Sequence, residues 1–357
     1  MTIVTFLITL LVLYGIWRLS VHKGLKHLSC RRSFAKDAVF VGEETELVEV
    51  VRNDKPFIIP WLLIESQISP YLRLGKQENL HISGNTHFCS QFTLMPYQQI
   101  LRRHRVRFLH RGSYNLGNAT LTTGDFLGFS KFHRTQNLPA PVLVYPQLIA
   151  DQALPIPLSS QLEEISRQPQ LLQDPFLFRG LRPYLPGDPV RDIHWAATAR
   201  TGEVQVRVHD YSARTRFLVV LNAQIHELQW HDHVTDDNAG QIEYGISLAA
   251  TACVKALRKG LAVGFAANMP VDEEHTSVCM LPAEGSTREE VLLTTFARLR
   301  IHRTQSIISL LDSLTVHSGM NILILSAYDS DSIQASIQKL QRSGNQVLFH
   351  QLEGGAK

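Results

Sequence analysis

Short alternating runs of apolar and polar residues dominate the first part of the chain after its N-terminus. Across residues 38–150, period-two runs such as AVFVGEETELVEVV are interrupted by turn signals, among them Asn53-Asp54 and the glycines at positions 112, 117, 124 and 128. Strands in regular succession with glycine between them are typical of an antiparallel sandwich. The pattern therefore predicts an all-β, sandwich-type domain over residues 38–150.

Longer apolar stretches take over in the second part of the chain, residues 216–357. Continuous runs such as RFLVVLNAQ and NILILSA are typical of buried strands, and they alternate with segments of helical period such as residues 237–260. This alternation predicts a parallel-rich α/β sheet with helices on both faces. Between the two parts, the Pro- and Gln-rich residues 151–177 indicate a linker. The predicted fold class is α/β plus all-β.

The chain begins with an apolar stretch, TIVTFLITLLVLYGIW (residues 2–17), that carries no charge. Because no small-x-small cleavage signal follows it, a retained anchor is favoured over a signal peptide. We expect a transmembrane helix within residues 1–20, which contacts the lipid bilayer through residues 2–17, and a basic juxtamembrane segment over residues 21–37. Basic flanks prefer the cytoplasm, so the expected location is the bacterial cell membrane, single-pass, with cytoplasmic soluble domains.

The bulk composition narrows the function classes. The hydrophobic fraction of 44% and the charged fraction of 19% are those of a folded protein. A formal net charge of +3 gives no electrostatic footprint for nucleic acid, so no nucleic-acid partner is expected. The four cysteines form no CxxC pair, which argues against a zinc ribbon and suits a reducing compartment.

A segment dense in charged and aromatic side chains, FRGLRPYLPGDPVRDIHWAATART, lies between the two parts at residues 178–201. Asp188 is suited to cap a helix whose first residue is Pro189, and Gly202 is suited to end that helix. The alternating run that follows predicts a strand. Residues 178–215 are therefore predicted to form a loop, a short helix and a strand.

The same segment carries the motif R-x-Y-x-P-G-D-x-x-R-x-I-x-W-x-x-x-A-R. It closely resembles the signature of the bacterial domain-of-unknown-function 58 family, and RGSYNLGNATLTTGDFLGF resembles a second segment of that family. Pro183 and Ala196 depart from the family pattern, which more often has an acidic and a basic residue at these positions. The signature positions are met here by Arg182, Tyr184, Pro186, Gly187, Asp188, Arg191, Ile193, Trp195, Ala199 and Arg200.

The resemblance implies a fold and a partner. It implies that residues 216–357 form a von Willebrand factor A-like Rossmannoid domain in a membrane-tethered protein. It also implies that the partner is an ATPase of the MoxR-type AAA+ class.

A von Willebrand A domain that binds metal does so through an Asp-x-Ser-x-Ser run at the end of its first strand, because hard cations need charged oxygen ligands. In this chain the corresponding run is LNAQIH, in which amide and imidazole groups replace the carboxylate and hydroxyls. We therefore expect neither a metal nor another cofactor. The positions of this degenerate site are Asn222, Gln224, His226 and, at a later strand, Ser326.

Three other features offer groups that bind ligands in other proteins. QWHDHVTDDN (residues 229–238) has histidines and aspartates near one another, but a solvated loop is the favoured interpretation. LRRHRVRFLHR (residues 101–111) places Arg103, Arg105 and Arg107 on one side of a strand, where a solvated face is favoured over anionic lipid and lipid over nucleic acid. For Cys30, a free thiol is favoured over an acylation site. The sequence contains no Walker A loop, nucleophile elbow or catalytic-cysteine signature.

These patterns and the resemblance together predict a membrane-anchored, non-enzymatic scaffold or adaptor that works with a MoxR-type AAA+ ATPase in envelope-related assembly. No small-molecule substrate is identified. A metal-dependent, adhesion-type A domain and an unrecognised hydrolase stay open as alternatives. Because Arg182, Arg191 and Arg200 can pair with nearby acidic residues, the signature is expected to form a structural latch between the domains, a partner-docking surface, or both.

Overall fold

The structure is a computed structural model that divides into two units: residues 1–147 with 296–298, and residues 148–295 with 299–357. It describes residues 4–9, 25–75, 80–83, 87–124, 131–150, 172–186, 188–212, 215–227, 236–272 and 276–352, together with the single positions 152, 155, 160, 163 and 165.

The described residues of the first unit form strands almost throughout. These are β1 (Leu28–Phe34), β2 (Ala38–Phe40), β3 (Glu44–Asn53), β4 (Ile59–Gln67), β5 (Leu72–Leu74), β6 (Leu80–Ser83), β7 (His87–Leu94), β8 (Gln99–Phe108), β9 (Gly112–Asn115), β10 (Asn118–Gly124), β11 (Lys131–Asn137) and β12 (Pro141–Tyr145).

Three sheets result from the pairing of these strands. The first sheet has the order β1-β3-β8-β5 and the second has the order β11-β10-β4-β7-β6. All strand pairs in these two sheets are antiparallel. The third sheet, β2-β12-β9, has one parallel and one antiparallel pair.

Alternation of apolar and polar residues lets the first and second sheets each turn one face inward. In β1 and β3, every second residue is buried, as expected for strands with one solvated face. The inward side chains of both sheets form a shared apolar cluster that includes Leu28, Val51, Leu62, Phe92 and Leu121. The core of this unit therefore lies between the two sheets.

The chain from residue 172 onward contains both helices and strands. Its elements are β13 (Leu172–Pro183), a 3-10 turn (Val190–Asp192), α1 (Trp195–Thr201), β14 (Gln205–Ser212), β15 (Arg216–Leu221), α2 (Asp236–Arg258), β16 (Ala262–Pro270), β17 (Ser277–Ala283), α3 (Arg288–Arg298), α4 (Ile307–Leu314), β18 (Met320–Ser326), α5 (Asp331–Arg342) and β19 (Gln346–Gln351).

Two sheets belong to this part of the chain. Strands β13 and β14 form an antiparallel ribbon. The other sheet has the order β17-β16-β15-β18-β19, with parallel pairs except at the β16–β17 edge. Its strands β15, β16 and β18 are buried along nearly their whole length, which explains their continuous apolar sequences. Helix α2 packs against β15 and β16, while α4 and α5 contribute Leu310 and Ile337 to the core around β18.

The predicted fold class, α/β plus all-β with a transmembrane helix and a von Willebrand factor A-like Rossmannoid domain, was wrong. The described chain is mostly β-sheet. Among the described residues, three of the five sheets are wholly antiparallel and the other two are mixed. The helical periodicity in the second part of the chain was given too much weight in the predicted fold class, because the helices there pack against only one of the described sheets. In addition, residues 172–183, taken as linker and loop, form a strand paired with β14.

The predicted N-terminal transmembrane helix is corrected as well. Of residues 2–17, only 4–9 are described, and these are helical. No helix within the described ranges is long and apolar enough to cross a membrane. The remaining residues of this stretch lie outside the described residues, and the cytoplasmic placement stays a prediction.

Candidate docking site

The signature motif lies in the β13–β14 ribbon and in the segment that connects its two strands. The ribbon pairs Arg182 with Val206 and Pro183 with Gln205. Beyond the strand end, the Tyr184 amide donates to the Val204 carbonyl oxygen at 2.8 Å, so pairing continues for one more residue. The connection folds back onto β14, because the His194 amide donates to the Gln205 carbonyl oxygen at 2.8 Å.

Arg182 and Asp188 hold the Pro-Gly-Asp turn closed. The two guanidinium Nη atoms donate to the two carboxylate oxygens at 2.7 Å each, which is the bidentate geometry that suits arginine. The Leu185 amide also donates to Asp188 Oδ2 at 2.9 Å. These hydrogen bonds, from Arg182 first and Leu185 second, hold the pKa of the Asp188 carboxyl below its usual value. The predicted pairing of Arg182 with a nearby acid is therefore present within the segment.

The short helix α1 begins later than its sequence suggests. His194, not Asp188, is the N-cap residue, and its Nδ1 accepts a hydrogen bond from the Ala197 amide at 3.1 Å. Pro189 precedes a 3-10 turn that has no side-chain cap. Asp188 is unavailable as a cap because Arg182 and Leu185 already use its oxygens. The predicted stop was correct, since Gly202 ends the helix in the left-handed conformation with φ 77°.

Thr198 connects the helix to the ribbon, a role that the sequence did not reveal. Its hydroxyl donates to the His194 carbonyl oxygen at 3.1 Å and accepts from the Gln205 amide at 3.0 Å. Histidine is a less common N-cap than Ser, Thr, Asp or Asn, so the cap signal pointed to Asp188 instead. The backbone of the connecting segment is thus fixed at both of its ends.

Large apolar side chains project from this fixed backbone. Trp195 and Val190 are 67% and 68% exposed, and Leu185 is 60% exposed. Only small or β14 side chains such as Ala197 and Val206 are buried here. We name the exposed set the signature surface; it comprises Leu181, Tyr184, Leu185, Val190, Trp195 and Val204.

The other signature residues have varied surroundings. Pro186, Ala199 and Arg200 are exposed, and Ile193 is half-buried where it bridges to Val206. Gly187 and the side chain of Arg191 lie outside the described residues.

Three of the four predicted degenerate metal-site positions meet at the carboxyl edge of the parallel strands. Asn222 follows β15, and its Nδ2 donates to the Ser326 hydroxyl at the end of β18 at 3.0 Å. Asn222 Oδ1 accepts from the Gln224 amide and from Asn268 Nδ2, each at 3.0 Å. Gln224 Oε1 accepts from the Ile307 amide at 2.8 Å, where α4 begins. His226, by contrast, is exposed.

This arrangement works as a hydrogen-bond network that joins strands and helix α4. Both lone-pair directions of Asn222 Oδ1 are already used by N–H groups, and the four side chains are nearly fully buried. Asn268, on β16, completes the network by accepting from the Ala223 amide at 2.7 Å. Its participation was missed because only the pairing of β15 with β16 brings it beside Asn222.

The second candidate ligand cluster cannot be placed in the same way. Most of residues 229–238 lie outside the described residues, and of 236–238 only the backbone, at the start of α2, is described. Among the described residues, no group of three His, Cys, Asp or Glu side chains is arranged to hold a metal ion.

A buried polar network in the first unit was also missed from the sequence. Arg32 Nε donates to Glu49 Oε1 at 2.7 Å, and Glu49 Oε2 accepts from the Ser90 hydroxyl at 2.7 Å and from His104 Nε2 at 3.0 Å. Arg32 also bonds the Ser66 hydroxyl. Arg32, Glu49 and His104 side chains are about 1% exposed, so the cluster is out of reach of a substrate and bridges the two sheets.

Electrostatics within this network favour the charged form of Glu49. Burial alone would raise the pKa of its carboxyl. The hydrogen bond from His104, the positive charge of Arg32 and the hydrogen bond from Ser90 together outweigh burial and lower that pKa.

The signature motif lies within a stretch of the chain that matches a family model. Residues 180–293 match the model of a family described as "Protein of unknown function DUF58". The DUF58 match contains all ten signature positions together with Asn222, Gln224 and His226, while Ser326 lies beyond it. No curated protein matches the chain.

Several solved structures resemble part of the chain. A CARDB domain from Pyrococcus furiosus, in complex with di-metal ions, is 15% identical over 34% of this chain and 96% of its own, with a TM-score of 0.22. The third ScaC cohesin of Acetivibrio cellulolyticus, in complex with the ScaB dockerin, is 10% identical over 32% and 99%, with a TM-score of 0.24. A non-cellulosomal cohesin from Archaeoglobus fulgidus is 8% identical over 35% and 94%, with a TM-score of 0.22.

Proposed function

We propose that this protein is a non-enzymatic adaptor that docks a MoxR-type AAA+ ATPase through the signature surface, in the service of envelope-related assembly. The observation that carries the proposal is the exposure of Trp195 and Val190 within the DUF58-matching segment. The choice of partner rests on the resemblance of the signature motif to its family.

Exposed apolar side chains favour association because their burial releases water. Burial of apolar surface stabilises a complex by about 25 cal/mol per Å², and Trp and Tyr are enriched among the residues that dominate interface energies. Six large apolar side chains of the described residues are exposed within residues 181–204 alone. Such a concentration is characteristic of a protein interaction site.

The fixed backbone adds to the suitability of this surface. Arg182 and Asp188 brace the turn before Val190, and His194 caps the helix that carries Trp195. A preformed surface loses less conformational entropy on binding than a mobile one. The latch-like contacts thus serve docking, since they hold the exposed side chains in place.

A binding measurement with purified components tests this function. The full chain is titrated with the MoxR-type ATPase of the same genome, and the dissociation constant is measured for the wild type and for Trp195→Ala. Loss of a central aromatic contact costs about 2 kcal/mol or more, so affinity is expected to fall roughly 30-fold.

Val190→Ala is a second test variant, and Val316→Ala is its matched control. Both positions carry exposed valines, 68% and 84% exposed, but Val316 lies outside the signature segment. Only Val190→Ala is expected to weaken binding. Failure of the wild-type chain to bind the ATPase, or equal effects of the two valine substitutions, would contradict the docking function. A broad activity screen that finds turnover by the purified chain would contradict its non-enzymatic character.

A further inference from the structure

The outer face of the first sheet is lined with arginines. Because side chains alternate along a strand, every second residue of β1, β3, β8 and β5 points away from the core. We name this outer set the arginine face; its basic members are Arg31, Arg52, Arg73, Arg103, Arg105 and Arg107.

Strand register brings these arginines together from separate parts of the sequence. Arg107 of β8 pairs with Arg73 of β5 on one side and with Glu44 of β3 on the other. Neighbouring strands are about 4.8 Å apart, and residues two apart on a strand are separated by about 6.7 Å. The guanidinium groups therefore share one surface of the sheet.

The charge on this face is as large as that of the entire chain. Six arginines and two glutamates, Glu44 and Glu46, occupy outward positions on the four strands, which is a formal net charge of +4. The whole chain carries only +3. Asp54, just beyond β3, pairs with Arg52 at 2.5 Å and lowers the local excess to +3. The weakly basic composition thus conceals a strongly basic face.

Ion pairs on the face leave its positive character intact. Arg103 lies 3.4 Å from Glu46, with both side chains well exposed, and such surface pairs contribute little energy in water. Val48, Val50 and Leu101 lie among the arginines, and Leu101 is 52% exposed. The face therefore presents cationic and apolar side chains side by side on the same surface of the sheet.

We propose that the arginine face binds the anionic headgroups of a lipid surface. Arginine attracts phosphate oxygens with charge and with paired N–H donors, while the interspersed valines and leucine suit the boundary between headgroup and acyl chain. Each basic side chain near an anionic leaflet strengthens attachment. A solvated face without a ligand is the alternative.

Nucleic acid fits this face less well. Sheets that bind single strands present aromatic side chains on which bases stack. The outward positions of β1, β3, β5 and β8 carry no aromatic side chain. The headgroup proposal therefore accounts for the apolar residues on the face, whereas a base-stacking platform does not.

Vesicle sedimentation of the full chain tests the proposal. The probes are vesicles of phosphatidylcholine alone and of phosphatidylcholine mixed with phosphatidylglycerol in equal parts. Since each arginine contributes about fivefold to binding at an anionic surface, Arg103→Gln/Arg105→Gln is expected to weaken binding to the mixed vesicles roughly 25-fold. Binding to phosphatidylcholine alone should not change.

Two further variants keep the test independent of folding. Glu44→Gln removes an acidic group from the same face and is expected to strengthen binding to the mixed vesicles about fivefold. The matched control, Arg258→Gln/Arg342→Gln, removes two exposed arginines from helices α2 and α5 and should leave binding unchanged.

Three results would overturn the assignment. Wild-type chain could bind both vesicle types equally, or the control pair could weaken binding as much as the Arg103/Arg105 pair. Alternatively, single-stranded or duplex DNA could bind the chain more tightly than the mixed vesicles do and lose that binding in Arg103→Gln/Arg105→Gln, which would assign the face to nucleic acid.

Discussion

Glu49→Gln removes the central acceptor from the buried network that bridges the two sheets of the first unit. Glu49 accepts hydrogen bonds from Arg32, Ser90 and His104 at 2.7, 2.7 and 3.0 Å. A glutamine amide has only one accepting oxygen, so it cannot accept hydrogen bonds from all three partners with two oxygens as the carboxylate does. The substitution also leaves the Arg32 guanidinium buried without a counter-charge.

The expected cost follows from that unpaired charge. Removal of one partner from a buried ion pair costs about 3–5 kcal/mol, compared with about 5–15 kcal/mol for the total stability of a typical domain. Arg32 has little capacity to adapt, because its Nη2 atom already lacks a partner within the described protein. We therefore expect the first unit to lose a large share of its stability.

Hydrogen exchange measured by mass spectrometry resolves this loss by unit. Slowly exchanging amides of β3 and β8 should exchange about two to three and a half orders of magnitude faster in Glu49→Gln, since about 1.4 kcal/mol corresponds to a factor of ten. Amides of β15 and β18 serve as an internal reference. Glu46→Gln is the matched control on the same strand, because the exposed Glu46–Arg103 pair is worth no more than about 1 kcal/mol.

The pH dependence gives a second readout with a defined sign. The pKa of Glu49 in the folded state lies below the ordinary value of 4.5, so the unfolded state binds its proton first. Its stabilising contribution is present above the unfolded-state pKa and is lost as the pH falls through the folded-state pKa. The difference between wild type and Glu49→Gln should therefore shrink in acid. Less than a tenfold change in β3 and β8 exchange at neutral pH would refute the reasoning.

Three further predictions follow from close packing, the sheet-edge network and the thiols. Gly264→Ala is expected to lower the free energy of unfolding, measured by urea denaturation, by about 1–3 kcal/mol, because the added Cβ would lie 2.5 Å from the Met280 carbonyl oxygen. Gly180→Ala is the control, since nothing lies within 4 Å of that Cβ position. An equal or smaller loss in Gly264→Ala than in the control would argue against this. Calorimetric titration of the wild type with Mg²⁺ is expected to show no binding, since the oxygens of Asn222 and Gln224 already accept N–H groups, and tight binding would restore the adhesion-type alternative. A thiol reagent should label Cys279 before Cys253 or Cys30, because Cys279 is exposed and the other two are buried. Burial raises the pKa of all three thiols, that of Cys30 to about 11, so the difference in exposure decides the order. Faster labelling of Cys253 would contradict this order.

Alternation along single strands was the most reliable sequence signal. It correctly placed Arg103, Arg105 and Arg107 on one side of a strand. In β8 these three side chains are exposed, and His104, Val106 and Phe108 on the opposite side are buried. The prediction needed no knowledge of pairing, because the two sides of a strand alternate whatever its neighbours are. The same reasoning could not tell that His104 would meet Glu49, since that contact depends on the register of β8 against β3.

The signature segment shows how tertiary contacts override local propensity. Asp188 and Pro189 have the residue types of a helix start, yet Arg182 captures the carboxylate and His194 caps the helix. Arg182 reaches Asp188 only because β13 holds it beside the turn, and β13 itself lies partly in what was predicted to be a linker. Gly202 behaved as predicted, because a left-handed helix end depends on the residue itself.

The sequence by itself determined which residues could be buried, where chain reversals could occur, and which family the signature segment resembles. Those properties depend on side-chain chemistry and on backbone preferences over a few residues. The tertiary structure alone decided the mostly β character of the chain, the Arg32–Glu49–His104 network, the amide network around Asn222 and the gathering of six arginines on one face. Each of these requires residues far apart in sequence to be brought side by side. The interaction energy of such a pair depends on both residues and their separation, so neither local segment predicts it alone.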